Sequence, residues 1–257
     1  MIRLIASDID GTLLQGGATE IPREIFSHIC RLEQKGVLFC PASGRQYASL
    51  RRLFAPVADR MPFLCENGAV VYGPGSPGPV LSKTAMDRRL SEELCRDILA
   101  LPGVEVLISG ADTCYLCPKG PGIEEQIRWF LGNRTAVIPA PADVPEDIIK
   151  VSAYCPNGTL AAVQAALFPR WERYFQAAVA GEVWLDFTLS NKGTGLRQLC
   201  RALGVSLEEV MAFGDNYNDL PMLEQVGHPY LMENAAPELK ARFSTRCRTV
   251  AEVLEAL

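Results

Sequence analysis

The sequence predicts an α/β protein whose parallel sheet is built from both ends of the chain, with an α+β module inserted between them. Three observations carry this. Short apolar runs alternate with helical patterns up to Cys65, the texture changes from about Thr84 to hairpins and helices, and the alternation returns after Lys192. Alternating strands and helices imply a parallel sheet with right-handed crossovers. Insertion is tolerated where the flanking chain ends lie close together at the surface.

Each element follows in order. Ile2 to Ser7 is a short apolar run that breaks off at Asp8, as a buried parallel strand does. Pro22 to Lys35 is expected as a helix, because Ile25, Ile29 and Leu32 recur at helical spacing and Gly36 stops the pattern. Val37 to Cys40 is a second buried strand ending at Pro41, Gln46 to Phe54 a helix, and Phe63 to Cys65 a third strand. The Gly/Pro run Gly73 to Pro79 marks a turn or a boundary. In the module, Ser91 to Leu101 is expected as a helix, with Val104 to Ser109 and Thr113 to Cys117 as paired strands. A helix over Gly122 to Leu131, a strand over Ile148 to Tyr154 and a helix over Leu160 to Phe168 come next. Tyr174 to Val179 and Val183 to Leu189 complete it as strands. The last stretch reads as a helix (Thr194 to Leu203), a strand (Val210 to Phe213), a short helix (Leu220 to Gln225) and a strand (Tyr230 to Met232).

Bulk composition narrows the class. Of 257 residues, 48% are hydrophobic and 21% charged, enough apolar material for a core without disulfides or structural metals. A net charge of −5 argues against a nucleic-acid footprint and leaves anionic ligands to a local site. No apolar run approaches the ~20 residues of a membrane span. Met1 to Ala6 is short, carries Arg3 and runs into acidic residues, unlike a signal peptide, so a cytoplasmic location is expected. The pattern carries no signal for an oligomeric state. Nine scattered cysteines, mostly inside apolar stretches, read as buried reduced thiols. Cys114 and Cys117 form one C-x-x-C, but a zinc site would want a second pair or nearby histidines, and His28 and His228 are distant. The pair reads as strand residues.

Four features that could carry chemistry each fall just after a strand of the α/β part, the edge where open parallel sheets bind ligands. Asp8-Ile9-Asp10-Gly11-Thr12 sets two carboxylates two residues apart at a strand end. One can attack phosphorus while the other protonates a leaving oxygen and later activates water. The same pentapeptide also fits an Asp-capped turn. Pro41-Ala42-Ser43-Gly44-Arg45 leads into a helix, offering a hydroxyl and free backbone N–H groups to a phosphate, although Ser43 also fits an ordinary N-cap. Lys192 opens a helix, where a cation is unfavourable toward the dipole unless an anion binds there; alone it also reads as a solvated surface lysine. Gly214-Asp215-Asn216-Tyr217-Asn218-Asp219 is either an Asn/Asp-rich loop or a source of oxygen ligands, and Asp8 with Asp215 would suit Mg²⁺.

Together these residues resemble the four motifs of the haloacid dehalogenase superfamily, and within it the Cof-type (class IIB) phosphatases. Asp8 to Leu14 matches the first motif, Ser43 in Ala42-Ser43-Gly44-Arg45 the second, Lys192-Gly193 the third and Gly214 to Asp219 the fourth. Glu66-Asn67-Gly68-Ala69 and Met232 to Lys240 also look like this subgroup. The resemblance implies a doubly wound, Rossmann-like core over residues 1–82 and 188–257, with an α+β cap over 83–187. It also implies roles: Asp8 as nucleophile forming an aspartyl-phosphate, and Asp10 as general acid/base lending its backbone carbonyl to Mg²⁺. Ser43, Gly44 and Lys192 would hold the phosphate, Asn218 would lie near it, Asp215 would ligate the metal and Asp219 would support that site. Two departures stand out: Ser43 where Thr is commoner, and a C-terminal end, Ser244 to Leu257, that lacks the usual Asp-Gly-Val-Ala. The function implied is hydrolysis of a small phosphate monoester, a sugar phosphate or another phosphorylated metabolite. A phosphomutase using the same Asp pair and a non-catalytic phosphometabolite-binding protein are the alternatives.

Overall fold

The computed structural model describes residues 1–111, 113–128, 134–180 and 182–257. They fall into two compact units, one of Met1–Gly44, Leu50–Ser82 and Asn191–Leu257, the other of Arg45–Ser49 and Lys83–Ser190.

The chain opens with β1 (Leu4–Ser7), α1 (Arg23–Gln34), β2 (Leu38–Pro41), α2 (Tyr47–Leu53) and β3 (Phe63–Cys65). Helix α1 starts directly after Pro22 and buries Ile25, Ile29 and Leu32 as one stripe, the spacing that predicts it. Two further strands, β4 (Val70–Tyr72) and β5 (Val80–Lys83), complete a three-stranded sheet in the order β3-β4-β5. The Gly/Pro run is therefore a turn between strands, closed by a 2.8 Å hydrogen bond from the Gly73 N–H to the Pro79 carbonyl. Strand β3 spends most of its pairing on β4 and meets the β2 side through a single parallel bridge between Ala42 and Leu64.

The second unit holds α3 (Arg88–Ala100), β6 (Glu105–Ser109), β7 (Cys114–Leu116), α4 (Ile123–Gln126), β8 (Thr135–Val137), β9 (Lys150–Tyr154), α5 (Leu160–Trp171), β10 (Gln176–Ala180) and β11 (Trp184–Thr188). Its sheet runs β10-β11-β9-β6-β7-β8, antiparallel except for the parallel β7–β8 pair. Leu94 and Ile98 of α3 and Leu167 and Trp171 of α5 pack on Val106, Ile108, Val151 and Phe187 of that sheet. Helix α3 begins three residues before the expected Ser91 because Asp87 caps it, accepting from the Leu90 N–H at 2.9 Å. The expected helix over Gly122 to Leu131 begins as α4, and its positions 129–131 lie outside the described residues.

The first unit is completed by α6 (Lys192–Leu203), β12 (Val210–Gly214), α7 (Leu220–Leu223), β13 (His228–Met232), α8 (Pro237–Lys240), β14 (Arg246–Cys247) and α9 (Val250–Glu255). Five strands in the order β14-β13-β12-β1-β2 are all parallel. Leu4, Ala6, Cys40, Val210 and Ala212 face Leu196 and Leu199 of α6 and Met222 and Leu223 of α7. Side chains alternate along a strand, so Ile5 and Phe39 turn to the opposite face, where α1 packs on β2 and against α9. Helices cover both faces, which makes the core doubly wound. The departing C-terminal end still folds onto this unit, with the Arg31 and Lys35 side chains of the α1 end donating to the Leu254 and Leu257 carbonyls. All nine cysteines are free thiols and all but Cys30 are buried. Cys114 lies in β7 and Cys117 just beyond it.

Candidate active site

Parallel pairing brings the C-terminal ends of β1, β2 and β12 to one edge of the sheet. Ser7 is level with Phe213 on one side and Pro41 on the other. The residues that follow, Asp8, Asp215 and Ser43, therefore leave from neighbouring points. Asp8 is anchored through its N–H, which donates to the Phe213 carbonyl at 3.0 Å. The strand order reverses at β1, and such a switch point leaves a crevice at the carboxyl ends.

Behind Asp8 the chain closes into a tight loop, with the Thr12 and Leu14 N–H groups both donating to the Ile9 carbonyl at 3.3 and 2.8 Å. Gly11 sits there at φ +95°, and a Cβ on it would come within 2.2 Å of Asp215 Oδ2. Only glycine meets both conditions. Thr12 Oγ1 donates to Asp215 Oδ1 at 3.1 Å, and Asn234 Nδ2 to the Gly11 carbonyl at 2.8 Å. Thr12 and Asn234 thus fasten the loop, a role that their positions in the sequence do not reveal. Gly11→Ala is expected to push Asp215 aside and cost about 1–3 kcal/mol of stability. Urea unfolding of the variant beside wild type checks this.

Lys192 is the first residue of α6, whose start is fixed by Asn191 and Thr194. Asn191 Oδ1 accepts from the Thr194 N–H at 2.9 Å, and Thr194 Oγ1 accepts from the Asn191 N–H at 2.9 Å. The lysine is not a surface residue: its side chain is 0% exposed, with Nζ 2.5 Å from Asp8 Oδ1 and 2.6 Å from Asp219 Oδ1. Burial by itself would lower the ammonium's pKa, but the Asp219 and Asp8 carboxylates more than reverse this and hold it above the ordinary lysine range.

Asp219 has both oxygens engaged. Oδ1 takes Lys192, and Oδ2 accepts from the N–H groups of Asp215 and Asn216 at 2.9 and 3.0 Å. It shapes the loop that presents Asp215, which is half-buried. One carboxylate oxygen from each of Asp8, Asp215 and Asp219 lies within 4.8 Å of the other two. Burial raises the Asp8 carboxyl most. Lys192 opposes that, Asp219 and Asp215 add to it, and the balance pushes the group up to about 8. Asp215 is raised as well, by burial and then by Asp219, against the Thr12 hydrogen bond.

A hard divalent cation suits this arrangement. Asp8 Oδ2 is buried with no hydrogen-bond partner among the described residues, and the surrounding donors are carboxylate oxygens. Asp8, Lys192, Asp215 and Asp219 are brought into one cluster. Ser43, buried, and Gly44 leave the adjoining end of β2, with the Ser43 N–H on the Leu64 carbonyl at 3.0 Å. The side chains of Asp10 and Asn218 are exposed on their loops and stand outside the carboxylate cluster.

The sequence profile of the haloacid dehalogenase-like hydrolases matches residues 5–256. The chain belongs to that family. This hydrolase is 27% identical over 246 residues to a 5-amino-6-(5-phospho-D-ribitylamino)uracil phosphatase of Escherichia coli (strain K12), across 93% of this chain and 88% of that one. With an HMP-PP phosphatase of Serratia proteamaculans (strain 568) it shares 30% identity over 249 residues, across 94% of this chain and 87% of the relative. A crystal structure of a protein from Eubacterium rectale matches this hydrolase with a TM-score of 0.87 at 31% identity, covering 99% of this chain and 98% of the other. The family and the phosphoric monoester hydrolase class expected from the four motifs are borne out. Among the described residues, no helix of this hydrolase is long and apolar enough to cross a membrane.

Proposed function

We propose that this hydrolase is a Mg²⁺-dependent phosphatase that releases phosphate from a small phosphorylated metabolite through an aspartyl-phosphate on Asp8. The observation that carries the reading is Asp8 held by the buried Lys192 inside a cluster of three carboxylates at the strand ends.

In this reading an Asp8 carboxylate oxygen attacks phosphorus in line with the ester oxygen. The Asp8 O–P bond forms as the bond to the leaving oxygen breaks, and the Asp10 carboxylic acid protonates that oxygen. The Asp10 carboxylate then takes a proton from the water that hydrolyses the acyl phosphate, and Asp8 is restored. The exposure of Asp10 suits a group that meets the leaving portion of a substrate and water. Lys192 offsets the charge of the nucleophile and of the phosphoryl oxygens, Ser43 and Gly44 bind those oxygens with the hydroxyl and a backbone N–H, and Asn218 lies at the rim. Asp8, Asp215 and the Asp10 carbonyl would hold Mg²⁺, with Asp219 keeping the loop in place. The ion supplies charge stabilisation at the phosphoryl oxygens.

The names of two relatives, a phosphatase of a phosphoribitylamino compound and an HMP-PP phosphatase, support a small phosphorylated metabolite as substrate. A core of residues 1–82 and 188–257, a cap of 83–187 and a cytoplasmic setting belong to the same proposal. The test is a panel of phosphorylated metabolites with purified protein. Phosphate release is expected from at least one, lost on chelation and restored by Mg²⁺. Absence of Mg²⁺-dependent release across the panel would favour the binding protein, and a rearranged phosphosugar in place of free phosphate would favour the mutase.

A further inference from the structure

The turn Glu66–Gly68, just after β3, has a construction that the mechanism above does not use. Two consecutive residues other than glycine lie in the left-handed region, Glu66 at φ 50° and Asn67 at φ 53°. Such backbone is sparsely populated, less by glutamate than by asparagine, and it persists where the surroundings enforce it. The surroundings here are the two phosphate-side elements. The Asn67 N–H donates to the Ser43 carbonyl at 2.9 Å, stitching the turn to the end of β2. On the other side, a Cβ on Gly68 would come within 2.4 Å of the Asn191 carbonyl, at the cap of the helix that carries Lys192.

The Asn67 side chain lies on Gly44. A Cβ at that glycine would sit 3.1 Å from Nδ2 and 3.3 Å from Oδ1. Its Oδ1 is buried and has no hydrogen-bond partner among the described residues. A buried carbonyl oxygen needs a donor. Ionised phosphoryl oxygens only accept, so a ligand that meets this oxygen has to donate to it from its remaining part. An amine would bring a second positive charge toward a site that already holds Lys192, whereas a hydroxyl brings none.

We propose that Asn67 is a substrate-binding residue of this site, selecting monophosphates that carry a hydroxyl next to the phosphoester, as polyol and sugar phosphates do. This rests on the phosphatase reading. The test compares wild type with Asn67→Gly, because glycine adopts φ 53° without strain and keeps the turn while removing the carboxamide. Two substrates are used: the hydroxyl-bearing monophosphate of the panel that turns over fastest, and p-nitrophenyl phosphate, which has no such hydroxyl. The variant should raise KM for the first about tenfold with kcat nearly unchanged, leave both parameters for the second within about twofold, and melt no lower than wild type. Equal losses on both substrates, no loss on either, or wild-type turnover confined to monoesters without a neighbouring hydroxyl would overturn the assignment while leaving the phosphatase intact. No turnover of any monoester by wild type would sink both.

Discussion

Asp8→Asn should reduce phosphate release by roughly 10⁴-fold or more, because the amide keeps the shape of the side chain but cannot form the acyl phosphate. The same change should alter stability in a way that separates chemistry from folding. In the unfolded chain the Asp8 carboxyl titrates near its ordinary value of 3.8, and in the folded protein it is pushed up to about 8. Between those values the unfolded state has given up a proton that the folded state retains. The stability contributed by the protonated carboxyl is therefore complete below about pH 4 and lost as pH rises through about 8. The variant has no proton to lose there. In chelator, its melting temperature relative to wild type should climb from pH 4 to pH 8 and then level off. A difference that stays flat across that window would show that burial does not act on Asp8 as described.

Lys192→Met is expected to cost about 3–5 kcal/mol, because it leaves Asp8 and Asp219 buried without their shared cation. That is a large part of the roughly 5–15 kcal/mol that stabilises a typical domain. Activity should fall about 10³-fold or more through loss of charge compensation at the phosphoryl group. Adding Asp219→Asn removes one of the unpartnered carboxyls and should restore part of the stability with no return of activity. Urea unfolding in metal-free buffer, run on both variants, checks this. A single variant that unfolds at the wild-type urea concentration would mean that the buried pair does not hold the strand ends together.

Much of the site was legible because buried strands end in residues that cannot be buried without a partner. Asp8 and Asp215 interrupt apolar runs, and parallel pairing then dictates that they lie together. Lys192 was harder to read. Its first-turn position says nothing of burial, and the carboxylates that bury it are 184 and 27 residues away in the chain. The fastening of Gly11 by Asn234 spans 223 residues and leaves no local trace. In the fold, the helix stripe of Ile25, Ile29 and Leu32 was readable, whereas β4 and β8, at three residues each, and β14, at two, are too short to show a period. Their pairing is decided by neighbours.

The strand order also has a consequence for synthesis. β1 lies between β2, made soon after it, and β12, made only after the whole second unit has been translated. At about 5–20 residues per second, translation of Lys83–Ser190 leaves one edge of a strand that is wholly buried in the finished fold unpaired for roughly 5–20 s. Such an edge is a template for pairing with other chains. The second unit needs no such delay, since all six strands of its sheet come from its own continuous segment. The six-stranded sheet can therefore close before the five-stranded one, and Asp8 waits for β12 to bring Asp215 beside it.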